Sequence, residues 1–316
     1  NIVAVGRSAG KNIATDGNAQ RNTYVGAYAG ETVTNGIAQT FVGYYAGGYY
    51  DSGNGNSDVT FIGTSAGQNH NAGSDNVAIG SYAHQGKSAT TGGSGNTVVG
   101  SRAAIAVNDI DKTVIIGAYA VGTNEATNAI DGTVAIGYES LKANTSGGGN
   151  TAIGYQAGDV LTTGGENTII GYACDVSANS STNQIVIGNN FAGTADNAVH
   201  IGNDTSHMRC DFNADQTWDA SSDRRQKKDI KESELGLDFI NDLKPCKYKY
   251  KSPSEFPKEW KAYNPDDKEP MGGSDRYYYG FIAQEVKESI DKYDAPDYGA
   301  WNVEDDGRQR VSREQF

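Results

Sequence analysis

The chain has 316 residues, of which 41 are glycine and six are proline, and carries a net charge of −13. That length exceeds the usual size of one domain, so two units are expected. The glycines lack a Gly-X-Y period and the prolines are too few for a collagen-like rod, the acidic balance excludes a broad basic face for nucleic acid, and no apolar run is long enough to cross a membrane.

From Asn1 to about residue 208 the chain repeats. Each unit has two small or β-branched residues, a glycine, two variable residues and often alanine-glycine. The clearest copies are Val5-Gly6-Arg7-Ser8-Ala9-Gly10, Val25-Gly26-Ala27-Tyr28-Ala29-Gly30, Ile62-Gly63-Thr64-Ser65-Ala66-Gly67 and Ile153-Gly154-Tyr155-Gln156-Ala157-Gly158. The first glycine recurs at 6, 26, 43, 63, 80, 100, 117, 137, 154, 171, 188 and 202, at intervals of 20, 17, 20, 17, 20, 17, 20, 17, 17, 17 and 14. All intervals differ by multiples of three, as if a 14-residue coil accepted insertions at one corner. Periods this short predict a β-solenoid with one or two short strands per coil and exclude propeller blades and paired-helix repeats.

Each unit has a local logic. Thr151-Ala152-Ile153 and Asn167-Thr168-Ile169-Ile170 supply β-formers, with Ala152 and Ile153 on opposite faces. The following glycine serves a corner at positive φ, or an approach too close for any side chain. Asn-Thr before the strand, as in Asn22-Thr23, Asn96-Thr97, Asn150-Thr151 and Asn167-Thr168, predicts a turn in which asparagine bonds to its own backbone. The polar stretches Asp51 to Ser57 and Thr145 to Gly149 read as outer turns.

Tyr44, Tyr45, Tyr49 and Tyr50 cluster, while Tyr24, Tyr28, Tyr82, Tyr119, Tyr138, Tyr155 and Tyr172 recur near corners. They predict stacking between successive coils or, as the sharper reading, a carbohydrate-binding face. Cys174, Cys210 and Cys246 lie far apart, which suggests neither a zinc site nor a disulfide scaffold. His70, His84, His200 and His207 are spread along the sequence without acidic partners at ligand spacing, and no calcium-loop string is present. No metal and no cofactor are therefore expected.

After Gly202 the pattern dissolves. Asn203-Asp204-Thr205-Ser206 reads as a turn, residues 209–221 as a linker, and Trp218 as an anchor against a neighbouring chain or domain. Residues 222–316 have a different chemistry: from residue 209 onward lie 24 of the 39 acidic and 19 of the 26 basic residues. Leu235, Phe239 and Leu243, widened by Leu237 and Ile240, predict a short amphipathic helix after Ser233 and Glu234, ended by Pro245. Cys246 to Tyr250 and Tyr277 to Phe281 alternate as strands, the second leading into a helix that begins near Ile282. Ser222 and Lys227 stand five residues apart, close enough for an amine to act on a hydroxyl.

Two resemblances refine this reading. The glycine repeats resemble the head repeats of trimeric bacterial adhesins and the arrays of phage tail fibres, which implies a trimeric parallel β-roll or β-helix. Ser222-Asp223-Arg224-Arg225-Gln226-Lys227-Lys228-Asp229-Ile230, Gly236-Leu237-Asp238-Phe239-Ile240, Leu243-Lys244-Pro245, Tyr248-Lys249-Tyr250 and Tyr279-Gly280-Phe281-Ile282-Ala283-Gln284-Glu285-Val286 resemble the intramolecular chaperone of endosialidases and tail spikes, the peptidase S74 family.

The second resemblance implies a small α+β module that promotes trimer assembly and then cuts the chain at Ser221-Ser222. On that resemblance Ser222 is the nucleophile and Lys227 the base, which must be neutral, through burial or adjacent positive charge, whereas Asp223 could instead hold it protonated. Asp223 and Arg225 match further motif positions, and Gln226 stands where relatives commonly have an apolar residue. Val311 to Phe316 resembles the start of the family's last helix, which usually continues.

The expected protein is mainly β: a phage tail fibre, with a repeat array over 1–208, a linker over 209–221 and the chaperone module over 222–316. It is expected in the virion, as a homotrimer, with upstream tail or baseplate proteins and a host cell-surface glycan or protein receptor as partners. Neither nucleic acid nor membrane insertion is expected. The alternatives are a bacterial trimeric surface adhesin and a polysaccharide-degrading tail spike. Asn1 falls inside a repeat, so an attachment region or signal is expected upstream.

Overall fold

A computed structural model describes residues 1–13, 19–50, 58–71, 73–87, 90–91, 93–107, 110–122, 130–212, 224–233, 235–260, 262–270, 277–295, 298–299 and 301–311. The chain divides into two compact units, Asn1–Ser221 and Ser222–Phe316.

The first unit is a β-solenoid. Among the described residues its main ladder has 13 strands stacked in chain order, while two short strands, His70–Asn71 and Thr90–Thr91, pair with each other outside it. It runs from Ile2–Val5 through Thr60–Ile62 and Thr151–Ile153 to Ala198–Asn203, every pair parallel. The thirteenth strand, His207–Asp211, turns back and pairs antiparallel with Ala198–Asn203. The register follows the glycine spacing: Val3 pairs Thr23, Thr40 pairs Thr60, Thr151 pairs Thr168 and Ile185 pairs Val199. The unequal intervals are thus absorbed in the turns, and the repeat glycines stand in one column.

That column needs glycine for two reasons at once. Gly154 has φ +139°, and a Cβ there would lie 2.0 Å from the carbonyl oxygen of Gly171 in the next coil. Each coil rests its backbone on its neighbour at this corner, so both sequence arguments for the glycine hold together.

Strand alternation divides the side chains as expected. Tyr24, Phe41, Phe61, Ala78, Val98, Ile115, Ala135, Ala152, Ile169 and Val186 take the middle position of successive coils and are fully buried. The residue just before each repeat glycine, from Val5 and Val25 to Ile187 and Ile201, is always Val or Ile. These point outward; Val5, Val25, Ile62, Ile79, Ile116 and Ile153 are 37–57% exposed and the rest half-buried.

The asparagines before the strands act differently from the sequence expectation. Asn167 Nδ2 donates to Asn150 Oδ1 (3.0 Å) and to the Ser181 carbonyl (2.8 Å), while its Oδ1 accepts from the Gln184 amide (3.0 Å). Asn76 and Asn96 repeat the pattern, with the Asn96 amide on Asn76 Oδ1 at 2.9 Å. These are bonds between coils, made by buried side chains. A local turn would satisfy one backbone group; the ladder satisfies groups in two coils, and burial makes that necessary. Asn150 alone also bonds back locally, to the Gly147 carbonyl at 2.7 Å.

Tyr24 and Tyr50 are core residues, fully buried, and not corner residues. Tyr24, Phe41 and Phe61 stack in order at 5.2 and 5.1 Å, with Tyr50 edge-on to Phe41 at 5.8 Å. At the end of this aromatic block His70 and His84 meet, Nε2 to Nε2 at 3.1 Å. The sequence had these histidines apart; coiling brings them together.

Among the described residues the second unit has two α-helices, α1 (Leu237–Asp242) and α2 (Ala283–Lys292), and two antiparallel strand pairs. Cys246–Tyr248 pairs with Tyr278–Gly280, and Trp301–Val303 with Gln309–Val311. Val311 therefore ends a strand, in contrast to the helix start expected there, and 312–316 lie outside the described residues. Phe239, Leu243, Val286 and Ile290 form the core. α1 begins after Gly236, later than its sequence signal at Ser233. Leu237 (78%) and Ile240 are exposed, which corrects the expectation that they widen the buried face. With six residues, α1 has too few turns to bury both sides.

Candidate functional site

The sequence-derived site lies at the start of the second unit. Arg224–Gln226 form a single 3-10 turn, closed by the Lys227 amide donating to the Arg224 carbonyl at 3.2 Å. Asp229 follows with φ +54°, in the left-handed region. Arg224, Arg225, Lys227 and Lys228 are all exposed. Ser221, Ser222 and Asp223 lie outside the described residues, as does the expected anchor Trp218.

Of the two routes offered for keeping Lys227 neutral, burial is not provided within the single chain. The adjacent positive charges of Arg224, Arg225 and Lys228 are present in sequence beside it.

Elsewhere in the second unit the two helices are tied together. Asp242 ends α1 and takes three bonds from α2 and the residue after it: its carboxylate accepts from Lys292 Nζ and from Tyr293 Oη (2.7 Å), and its carbonyl from Ser289 Oγ (3.3 Å). Hydrogen bonding from Lys292, then from Tyr293, holds the Asp242 carboxyl below its usual range. The Phe239 ring meets Tyr293 and Tyr298 edge-on at 5.6 and 5.3 Å. A cleft of about 770 Å³ opens beside the start of α2, lined by Tyr248, Tyr250, Phe256, Trp260, Phe281 and Gln309 among others. The final strand pair, which builds one wall of this cleft, has no counterpart in the sequence expectations. Trp301-Asn302-Val303 followed by a Gly307 turn and Gln309-Arg310-Val311 was the available signal.

Among the described residues no group of three or more His, Cys, Asp or Glu could hold a metal ion, and no helix is long and apolar enough to cross a membrane. On the solenoid, two features gather chemistry that the sequence left dispersed. Asp159 and Asp175 neighbour one another, and burial, then the Asp159 side chain, pushes the Asp175 carboxyl up to about 7. Tyr138, Tyr155 and Tyr172 stack through successive coils at 5.5 and 5.2 Å, as the stacking reading of the tyrosines expects.

Fold and module together define a repetitive β-solenoid fibre followed by a small α+β module. Residues 222–294 match the family model of peptidase S74, described as the chaperone of endosialidase. This match and the solenoid before it fit a tail fibre with an intramolecular chaperone domain. No curated protein and no solved structure matches the chain.

Proposed function

We propose that this chain is a self-processing tail-fibre protein of a phage: residues 222–316 bring three copies into register and then sever themselves from the finished shaft. The observation that carries the assembly is the outward column of Val and Ile, one per coil from Val5 to Ile201. An uninterrupted apolar stripe of this length is rare on a monomer and marks an interaction surface. Its residues repeat in register, so identical parallel chains meet like with like.

The cut follows from the matched motif. Ser222 Oγ attacks the Ser221 carbonyl carbon, the peptide C–N bond breaks, and the nitrogen takes a proton as an ester forms; water then hydrolyses the ester and restores the hydroxyl. Lys227 accepts the hydroxyl proton. Its exposure in the single chain supports assembly-dependent processing, in which packed copies supply the burial that makes the amine a base. Register in a periodic stack is otherwise weakly specified, and release of the clamp leaves the product kinetically trapped.

The receptor is a molecule of the host surface, with the solenoid as the binding part.

Denaturing gels and intact mass of wild type beside Ser222→Ala test the reading. Wild type is expected as pieces of 221 and 95 residues, and the variant as one intact chain of 316 that still sediments as a trimer. A wild type that never splits removes the protease role. In parallel, Ile116→Lys/Ile153→Lys is expected to sediment as a monomer, and a trimer from it would remove the column as the interface.

A further inference from the structure

The tyrosine row on the solenoid has more than a stapling role. Tyr138, Tyr155 and Tyr172 follow their repeat glycines directly and are 43%, 43% and 54% exposed. Their rings are tilted by only 15° and 10°, so they form one continuous ridge along the axis. Tyr119 joins it edge-on at 6.3 Å, and Arg102 extends it, with its guanidinium over Tyr119 at 5.6 Å. Stacking occupies the inner ring faces, but the row ends at Tyr172, whose partner in the next coil is Asn189 and not another ring.

A second row of polar groups runs beside the ridge and is already oriented. The Glu139 carboxylate accepts from Lys142 Nζ and from Gln156 Nε2, both at 2.8 Å, one oxygen each. The Asp159–Asp175 pair continues the row toward the same end.

We propose that this ridge binds a neutral, linear polysaccharide lying along the solenoid axis, with one sugar ring packed on the open face of Tyr172 beside the Asn189 amide. The inference rests on the reading of the solenoid as the receptor-binding part. Three features select this ligand class. An aromatic ridge offers apolar surface to the C–H faces of sugar rings, and its hydroxyls remain available for hydrogen bonds. Fixed carboxylate and amide oxygens accept sugar hydroxyls without a cost of ordering. The chain's net charge of −13 disfavours polyanions and so points to a neutral glycan. The repeat itself adds a fourth argument: a site that recurs with each 17-residue coil favours a polymer whose chemistry also recurs.

The test is native electrophoresis of the full, self-processed chain through gels containing galactomannan, xyloglucan or dextran, with polysialic acid as the charged comparison. Retardation is expected in at least one neutral gel and not in polysialic acid. Tyr155→Ala is expected to weaken the retardation about fivefold, and Tyr138→Ser/Tyr155→Ser/Tyr172→Ser to abolish it. Wild type that runs freely in all three neutral gels, retardation by polysialic acid alone, or retardation that survives the triple variant would each overturn the proposal, the last pointing to another face. Processing and sedimentation are scored on the same samples. A triple variant that splits and forms trimers but fails to bind isolates the ridge, whereas one that fails to split bears on the fibre reading; the single Tyr155→Ala variant then decides the glycan question.

Discussion

Phe61 and Gly67 fill a single site in the solenoid core: a Cβ on Gly67 would stand 2.3 Å from the Phe61 ring. Further along, the roles reverse. Ala135 is small at the strand position, and Leu141 fills the space from the corner position with φ +48°. Phe41 with Gly47 follows the first pattern, and Ala78 with His84 the second. In these four coils two residues divide one volume between them, as close packing requires. Gly67→Ala alone is expected to destabilise by about 2–4 kcal/mol through overpacking and left-handed strain. Phe61→Ala/Gly67→Leu, which imitates the Ala135–Leu141 coil, is expected to recover more than half of the loss of Phe61→Ala. A double-mutant cycle by denaturant unfolding reads the coupling, expected above about 1 kcal/mol.

The His70–His84 pair makes the shaft sensitive to acid. Burial pushes His70 down to about 4, and burial with His70 beside it pushes His84 well below the usual value. The His70 ring faces Tyr50, Phe61 and His84, and neither Nδ1 has a partner among the described residues. The unfolded chain binds these protons from about pH 6.5 downward. The pair's contribution is therefore complete above that value and is lost as pH falls through about 4. The loss for His70 is on the order of 3 kcal/mol. His70→Leu/His84→Leu is expected to flatten the dependence of unfolding midpoint on pH between 7 and 4.5; an unchanged slope would assign the acid response elsewhere. Leucine suits the second position because Leu141 occupies the equivalent corner at φ +48°.

The asparagine ladder is expected to be worth more than any one of its bonds. Asn167→Ala leaves the Gln184 amide, the Ser181 carbonyl and Asn150 Oδ1 without that partner in a buried column. A loss of about 3 kcal/mol follows, since each orphaned buried group costs about 1–3 kcal/mol. Thr133 occupies the same position with its buried hydroxyl unpaired among the described residues. Thr133→Asn should extend the ladder and raise the unfolding midpoint. If Asn167→Ala unfolds with wild type, the ladder is spectator chemistry.

Processing should wait for assembly. Lys227 is exposed in the single chain, so dilution below the trimerisation range is expected to lengthen the lag before the 221-residue piece appears. Lys227→Met should stop the cut by more than a hundredfold while trimer yield is kept. A concentration-independent first-order cut in freshly diluted chains would place the complete site within one copy.

Much of the architecture could be read before any coordinates, because a solenoid writes its register into the sequence. The glycine column at 6, 26, 43 and onward is the register itself, and the Ala152–Ile153 alternation gives the inside and outside. Contacts made by coiling were not legible. His70 and His84 are 14 residues apart, off the 17-residue and 20-residue periods, so no repeat alignment brings them together. The asparagines were read as local turns because a buried cross-coil bond and a turn have the same sequence signature. At α1, a periodicity that fits a longer helix overstated the buried face of a six-residue one, leaving Leu237 and Ile240 outside. The segment Ser222 to Lys227 was found by its motif, and only the Arg224 to Lys227 part lies among the described residues.

The strand His207–Asp211 covers the last parallel rung of the solenoid, which would matter most if the second unit is released as proposed. A stack of parallel strands ends in a row of open backbone groups, which can recruit another molecule. Here the chain doubles back over its own last rung, and Arg209 grips Asp211 through paired contacts at 2.7–2.9 Å on that outermost strand. After the proposed cut the tip is therefore expected to be blunted, with released shafts remaining separate particles instead of joining nose to tail into filaments.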